Sequence, residues 1–173
     1  MNCYICGGEC VKDVIHGSYI YWKCRDCFTS QVLPQPSEQE LYEFYNRYHL
    51  CTESGGVYDE VEDRMKADFP FKANLLRRHM KKFVPRLLDV GCGKGYFVHT
   101  ALKNGFDAEG IDISQSAVDY AVNSLGVKAR AGKIDECLTE WHETFDAITF
   151  WATIEHIAKP MEALHAIYNC LKP

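Results

Sequence analysis

Apolar and polar positions follow two different patterns along this chain. From about residue 86 onward, short apolar runs alternate with longer stretches in which apolar residues recur every three or four positions. The short runs predict strands near 86–90, 107–112, 127–131 and 145–151. The longer stretches predict helices near 95–104, 114–125 and 160–171, with a short helix near 133–140. Strands alternating with helices in this way indicate an α/β fold with a parallel sheet covered by helices on both faces.

The N-terminal part of the chain has a different pattern. β-branched and aromatic residues surround Gly17 and Ser18, which predicts a β-hairpin. Further on, Ser37 with Glu40 three residues later predicts a capping box at the start of a helix. One face of this helix carries the apolar and aromatic residues Leu41, Phe44, Tyr45 and Tyr48. Core packing is one interpretation of that face, and a lid over a ligand site is the other.

A second helical pattern runs from Tyr58 to Val84, and Pro70 is expected to interrupt it. The early part of this segment is acidic and the later part is basic, which favours a helix whose dipole is complemented at both ends. Pro85 is expected to end the helix before the first strand of the parallel sheet.

Length, charge and cysteine content restrict the classes of protein that fit. A chain of 173 residues can form one good core, or one core with a small module. The formal net charge is −5, and basic residues cluster only near 77–82, which argues against a dedicated nucleic-acid surface. No apolar run reaches the ~18 residues of a membrane span, and the N-terminus lacks the apolar segment of a signal peptide. The nine cysteines lack the distribution of a secreted disulfide framework, so a reducing cytoplasm is the expected compartment.

Two cysteine pairs near the N-terminus have the spacing of a metal site. Each pair is a CxxC motif, and 17 residues separate the two pairs. The four cysteines are Cys3, Cys6, Cys24 and Cys27. Four thiolates around tetrahedral Zn²⁺ leave no open position, so the sequence predicts a structural zinc ribbon over about residues 1–33. A redox pair, disulfides between the pairs, and replacement of one ligand by Cys10 or His16 are the alternatives.

A glycine-rich motif follows the first predicted strand of the parallel sheet. The three glycines occupy alternate positions, at Gly91, Gly93 and Gly95. Glycine tolerates positive φ and lets the backbone approach a ligand, so the motif predicts a tight turn that opens a helix. Asp112 ends the next strand, where its carboxylate can accept both hydroxyls of a ribose. Asp89 would repel a phosphate but pair with an ammonium group, which favours a nucleoside with a charged amino-acid tail over NAD.

A third motif, FDAITFWATIEHIAKP, covers residues 145–160. Asp146 opens an apolar strand, and Glu155-His156 follow in the loop after it. Taken in order, the three motifs from about Arg86 to the C-terminus resemble those of the class I S-adenosylmethionine-dependent methyltransferases. The paired cysteines, a Pro-containing link and a Tyr-rich helix also resemble the zinc-binding segment of many small-molecule methyltransferases.

This resemblance implies a Rossmann-like domain that binds S-adenosylmethionine and acts on a small-molecule methyl acceptor, with no nucleic acid expected. The residues that it implies for the cofactor site are Asp89, Gly91, Cys92, Gly93, Gly95, Asp112, Ile113, Lys133, Ile134, Phe150 and Trp151. His156 is the candidate general base because imidazole titrates near neutrality, and ordering of the loop is its alternative role. Quinone O-methyltransferase-like members carry an acidic metal ligand at the position of Ala152, so sugar, secondary-metabolite or cell-surface substrates are expected instead.

These patterns divide the chain into three segments. We expect a zinc ribbon over 1–33, a linker with helices that form a lid or entry over 34–84, and the Rossmann-like domain over 85–173. In the family resembled, three more strands follow the last predicted helix. The strand near 145–151 is therefore expected to need a neighbour, either from a longer protein of which this chain is a fragment or from another chain. The alternative function is a zinc-ribbon binding or scaffold protein with a non-catalytic or incomplete Rossmann-like domain.

Overall fold

The computed structural model of the chain describes residues 1–51, 57–133 and 140–173. These ranges contain two separate sheets, one antiparallel and one parallel. The short helix predicted near 133–140 and the loop predicted at 51–57 lie almost wholly outside the described residues.

The antiparallel sheet forms the N-terminal ribbon. It consists of β1 (Cys10–His16), β2 (Tyr19–Cys24) and β3 (Ser30–Leu33), in that order across the sheet. The hairpin predicted around Gly17 is confirmed, and Gly17 has a φ of 60° in its turn. The third strand was not predicted, because its four residues are too short to carry a pattern of their own. Pairing with β2 is what defines it.

Two helices connect the ribbon to the parallel sheet, namely α1 (Glu38–Cys51) and α2 (Val57–His79). The predicted capping box is confirmed: the Glu40 amide donates to the Ser37 hydroxyl, and the Ser37 amide donates to the Glu40 carboxylate at 2.7 Å. The expected interruption at Pro70 is wrong, because α2 continues through it. Buried Phe69 and Ala73 pack on the core on either side of Pro70, and this packing offsets the loss of one backbone donor.

The parallel sheet has the strand order β6-β5-β4-β7. Its strands are β4 (Arg86–Val90), β5 (Asp107–Asp112), β6 (Lys128–Ala131) and β7 (Ala147–Thr149). Helices α3 (Tyr96–Lys103), α4 (Gln115–Leu125) and α5 (Pro160–Cys170) connect or follow them. The Rossmann-like α/β fold is therefore confirmed, and the strand order reverses between β4 and β7, which is where such sheets bind ligands.

The last strand is shorter than the predicted span of 145–151. Pairing with β4 covers only Ala147–Thr149, and Ala152 turns the chain away with a φ of 53°. Before β7, Phe145 forms a parallel bridge with Leu171, and the Lys172 amide donates to the Phe145 carbonyl at 2.9 Å. The residues after α5 therefore occupy the outer side of this segment.

Alternating residues of the strands build a separate apolar cluster on each face of the sheet. Leu87 belongs to the cluster that α2, α3 and α4 cover, where Phe97 lies at the centre. The neighbouring residue Leu88 belongs to the opposite cluster, with Phe145 and with Ile167 of α5. In the part of the chain that the structure describes, every helix is too short or too polar to cross a membrane.

Candidate functional site

The glycine turn lies between β4 and α3, at the carboxyl edge of the parallel sheet. All three glycines have left-handed backbone angles, with φ values of 72°, 50° and 79° for Gly91, Gly93 and Gly95. A Cβ atom at Gly91 would overlap the side chain of Thr153, and one at Gly95 would lie 2.8 Å from the Ala121 Cβ. Glycine is therefore required here for backbone conformation and for close packing.

Asp112 fixes the shape of this turn. One oxygen of its buried carboxylate accepts a hydrogen bond from the Gly93 amide at 2.8 Å, and the other accepts from the Ser114 amide at 2.8 Å. A carboxylate oxygen can accept two hydrogen bonds, so each oxygen keeps one further acceptor position. Two such positions on one carboxylate can receive a pair of neighbouring hydroxyl groups.

Asp89 is the second carboxylate of the site and lies deeper in the sheet. It is only 3% exposed, and the Thr149 hydroxyl donates a hydrogen bond to it at 2.7 Å. Burial raises the pKa of Asp89 to about 7, the hydrogen bond from Thr149 lowers it, and the charge of Asp112 raises it. This carboxyl group is therefore poised to change its ionisation near neutral pH.

Cys92 and Ile113 were also predicted to line the cofactor site. The Cys92 side chain turns back onto β5, where a Cβ atom at Gly110 would lie 2.5 Å from its sulfur. Burial is the main cause that raises the pKa of this thiol well above its ordinary value, and the Asp112 and Asp89 charges add to the effect. Cys92 can thus offer only its backbone to a ligand. Ile113 follows Asp112 directly and is half-buried.

The cofactor-site residues that were predicted at the ends of the third and fourth strands lie in different parts of the structure. Phe150 packs against the cluster beneath α5, whereas Trp151 packs against the cluster beneath α2 and α3. Lys133 follows Gly132, whose amide donates to the Asp112 carbonyl at 2.9 Å, so it lies beside the site. Ile134 lies outside the described residues.

Lys72 of α2 was not predicted, although it reaches the same edge of the sheet. Its ammonium nitrogen lies 4.7 Å from the centre of the Trp151 ring and 5.5 Å from that of Phe69. The indole nitrogen of Trp151 is buried and has no hydrogen-bond partner among the described residues. Lys72 and Trp151 thus place a cation and an unused N–H donor close together. The sequence places Lys72 within the helical pattern but carries no signal that it meets Trp151.

His156 ends a 3₁₀ turn (Ile154–His156) in the loop after β7, and its side chain is exposed. Its ring packs edge-to-face against Tyr45 of α1, with ring centres 6.0 Å apart. Helix α1 also packs against α4, which follows β5. Because β4 lies between β5 and β7, α1 extends across the edge of the sheet that carries the glycine turn. This placement favours the lid interpretation of the tyrosine-rich helix.

The four cysteines of the ribbon converge as the spacing predicts. Their sulfur atoms all lie within 4.8 Å of one another, with 3.6 Å between Cys3 and Cys27 and 3.5 Å between Cys6 and Cys24. Tetrahedral zinc with Zn–S bonds of ~2.3 Å places sulfurs about 3.8 Å apart, so the donor set fits this ion. The amides of Ile5 and Asp26 each donate to the sulfur two residues earlier, at 3.4 Å.

Comparisons with known proteins agree with this fold. A family model described as a methyltransferase domain matches residues 59–173, which is more than half of the chain. The ubiquinone biosynthesis O-methyltransferase of Alkalilimnicola ehrlichii is 31% identical over 93 residues, 51% of this chain and 38% of that protein. The protein of the same name from Azotobacter vinelandii is 25% identical over 109 residues, 60% of this chain and 47% of that protein. The chain therefore spans less than half the length of these two curated relatives.

Solved structures show the same fold at low sequence identity. An S-adenosylmethionine-dependent methyltransferase from Archaeoglobus fulgidus aligns with a TM-score of 0.52 and 22% identity, over 68% of this chain and 54% of that chain. The [4+2]-cyclase SpnF aligns with a TM-score of 0.60 and 23% identity, over 81% of this chain and 58% of that chain. At these identities the likeness establishes the fold alone, since one fold hosts different chemistries.

Proposed function

Because the chain belongs to the methyltransferase-domain family, we propose that it transfers a methyl group from S-adenosylmethionine to a small molecule. The observation that carries this proposal is the Asp112 carboxylate, which is held against the glycine turn by two backbone amides. Both of its oxygens keep an acceptor position for the ribose hydroxyls of the cofactor. The same carboxylate thus shapes the glycine turn and keeps acceptor capacity for a ligand.

The charged tail of the cofactor would be held by groups of both signs. Its α-ammonium group pairs with Asp89 in this proposal, since Asp89 lies two residues before Gly91 on the strand that enters the turn. Its α-carboxylate is received by the Lys72 ammonium and the Trp151 N–H, which otherwise has no partner among the described residues. A zwitterionic tail would thus satisfy a buried donor and a buried acid at once.

The methyl group of the cofactor is already activated by its sulfonium, so the protein chiefly has to align the acceptor and exclude water. Helix α1 is the proposed cover, because it lies across the sheet edge and contacts His156 through Tyr45. His156 is the proposed general base for acceptors that must lose a proton. Ala152, which offers no metal ligand, favours a sugar, secondary-metabolite or cell-surface precursor as the acceptor.

The ribbon is proposed to hold one structural zinc ion through Cys3, Cys6, Cys24 and Cys27. The convergence of the four sulfurs and the amide hydrogen bonds to two of them support this assignment. When bound, zinc supplies cross-linking of the ribbon and no chemistry at the methyl-transfer site, because four thiolates complete its coordination.

Calorimetry with S-adenosylhomocysteine tests the cofactor site on the 173-residue chain. Asp112→Ala is expected to weaken binding by about 1–3 kcal/mol, the usual range for hydrogen bonds to a charged group. Asp107→Ala is the matched control, because Asp107 is an exposed acid at the opposite end of the same strand. Equal affinity of Asp112→Ala and wild type would remove Asp112 from the site.

A transfer assay with cofactor labelled in its methyl group tests the reaction itself. A panel of sugar, secondary-metabolite and phenolic acceptors is offered, and label in a small-molecule product is the expected result. Repeating the positive reaction with His156→Gln is expected to abolish turnover of an acceptor that must be deprotonated. A chain that binds the cofactor but labels no acceptor in the panel would favour the scaffold function over catalysis.

A further inference from the structure

We propose that Thr149 is a positioning residue that holds the Asp89 carboxylate ready to receive the α-ammonium group of the cofactor. The inference rests on the proposed function, and it assigns a role to Thr149, which lies within the third motif but was given no role there.

The geometry of the β4–β7 pair carries this inference. Asp89 and Thr149 are register partners on the two strands between which the strand order reverses. Both side chains are buried, and the Thr149 hydroxyl lies 2.7 Å from the Asp89 carboxylate but 3.4 Å from the Leu88 carbonyl. A hydroxyl has one proton to donate, and the shorter contact to a carboxylate is the stronger hydrogen bond.

Asp89 has few other groups that could hold it. Its partner on the other side is Gly110 of β5, which has no side chain. The ionisable groups that act on Asp89 are Asp112 at the end of β5 and Cys92 in the turn. On the same face of the sheet, Lys72 of α2 lies over the Trp151 ring. Asp112 opposes ionisation of Asp89, so the described neighbour that favours the charged form by direct contact is Thr149.

The consequence is a defined dependence of cofactor binding on pH. Burial raises the pKa of Asp89 to about 7, and removal of the Thr149 hydrogen bond is expected to raise it further. Below this pKa the carboxyl group is protonated, and pairing with an ammonium group requires that its proton leaves to the solvent. Affinity for a ligand with the ammonium group should therefore fall as the pH falls below 7.

The test compares two ligands and two variants by calorimetry between pH 5.5 and 7.5, where the ligand's amino group stays protonated. S-adenosylhomocysteine carries the amino-acid tail, and 5′-methylthioadenosine shares its adenosine and thioether but lacks that tail. If Thr149→Val raises the Asp89 pKa by one unit, it binds S-adenosylhomocysteine about tenfold more weakly than wild type at pH 6. The difference narrows toward pH 7.5, Thr149→Ser restores the wild-type profile, and 5′-methylthioadenosine binds all three proteins alike.

Two results would overturn the inference while leaving the proposed function intact. One is an unchanged pH profile for S-adenosylhomocysteine in Thr149→Val. The other is an equal loss of both ligands at every pH, which is what a merely structural role of Thr149 predicts. Failure of wild type to bind S-adenosylhomocysteine at any pH would instead overturn the proposed function, and this inference with it.

Discussion

In the ribbon, the buried cluster consists of Cys3, Cys10 and Cys24, with Trp22 packed against it. In the parallel-sheet unit, two apolar clusters lie on opposite faces of one sheet, and they bury large side chains such as Phe97 and Phe145. Burial of apolar surface contributes about 25 cal/mol per Å². The sheet unit can be stabilised by this effect, whereas the ribbon lacks the apolar area to do so.

The two regions therefore depend on different kinds of residue for their stability. In the ribbon, sulfur atoms occupy the centre, so the fold depends on the chemistry of four side chains. In the sheet unit, the centre is apolar and the polar groups Asp89 and Asp112 lie at its carboxyl edge, where each is held by defined hydrogen-bond donors. The ribbon is therefore expected to respond to metal removal, and the sheet unit to loss of packing.

The largest expected effect is loss of the ribbon's fold when one ligand is removed. Zinc binding to sites of this kind provides about 10–16 kcal/mol of folding free energy, so Cys24→Ser or a strong chelator should unfold the ribbon. Metal analysis should give about one zinc per wild-type chain. Thermal unfolding of the sheet unit should remain unchanged. Cys10→Ala is the control, because Cys10 is buried beside the site but lies outside the four converging sulfurs. A metal-free chain with a folded ribbon would contradict the assignment.

The second effect belongs to the sheet unit. Phe97 is 1% exposed and packs edge-to-face on Phe69 and Trp151, with ring centres 5.4 and 5.1 Å away. Phe97→Ala should lower the free energy of unfolding by about 3–5 kcal/mol and leave the zinc content unchanged. Denaturant unfolding measures the change. Phe71→Ala is the control. Phe71 lies on the same helix as Phe69 but is 71% exposed, so its removal should change the free energy of unfolding by no more than about 0.5 kcal/mol. Similar losses for both variants would mean that Phe97 is not at the centre of this core.

The pattern of apolar positions predicted the bounds of the strands and helices of the sheet unit to within one residue, with β7 as the exception. Ser114 caps α4 by accepting a hydrogen bond from the Ala117 amide, and Gly126 ends that helix with a φ of 66°. Both residues carry their signal in the sequence itself. The residues that were missed act through distant contacts: Lys72 reaches Trp151, and Thr149 reaches Asp89. Periodicity describes one element at a time, so it does not reveal which side chains of different elements meet.

The same limit applies to β7 and α2. Seven apolar-rich residues predicted a strand over 145–151, but pairing with β4 covers only Ala147–Thr149, and Phe145 pairs with Leu171 instead. Pro70 predicted a break, but packing of its neighbours on the core keeps α2 continuous. The cofactor contacts and the boundaries of the three segments stay predictions.

The smallest expected effect lies within the ribbon. After the second cysteine of each CxxC pair, the backbone is left-handed, with a φ of 76° at Gly7 and 62° at Phe28. A side chain in this conformation costs about 1 kcal/mol, and Phe28 is 71% exposed, so it gains little from packing. Phe28→Gly should therefore strengthen zinc retention in a competition assay with a chelator by about fivefold, and Gly7→Ala should weaken it by a similar factor. Weaker zinc retention by Phe28→Gly would show that the Phe28 ring contributes more than its backbone strain costs.

The contact between Cys92 and Gly110 has a consequence for how this sequence can vary over time. The thiol fills the space that a side chain at position 110 would need. Position 110 therefore cannot gain a side chain while Cys92 keeps its own, and the Val98 side chain would lie 3.2 Å from the new Cβ as well. The residues that position 110 accepts therefore depend on the residue at position 92, although 17 residues of chain lie between them.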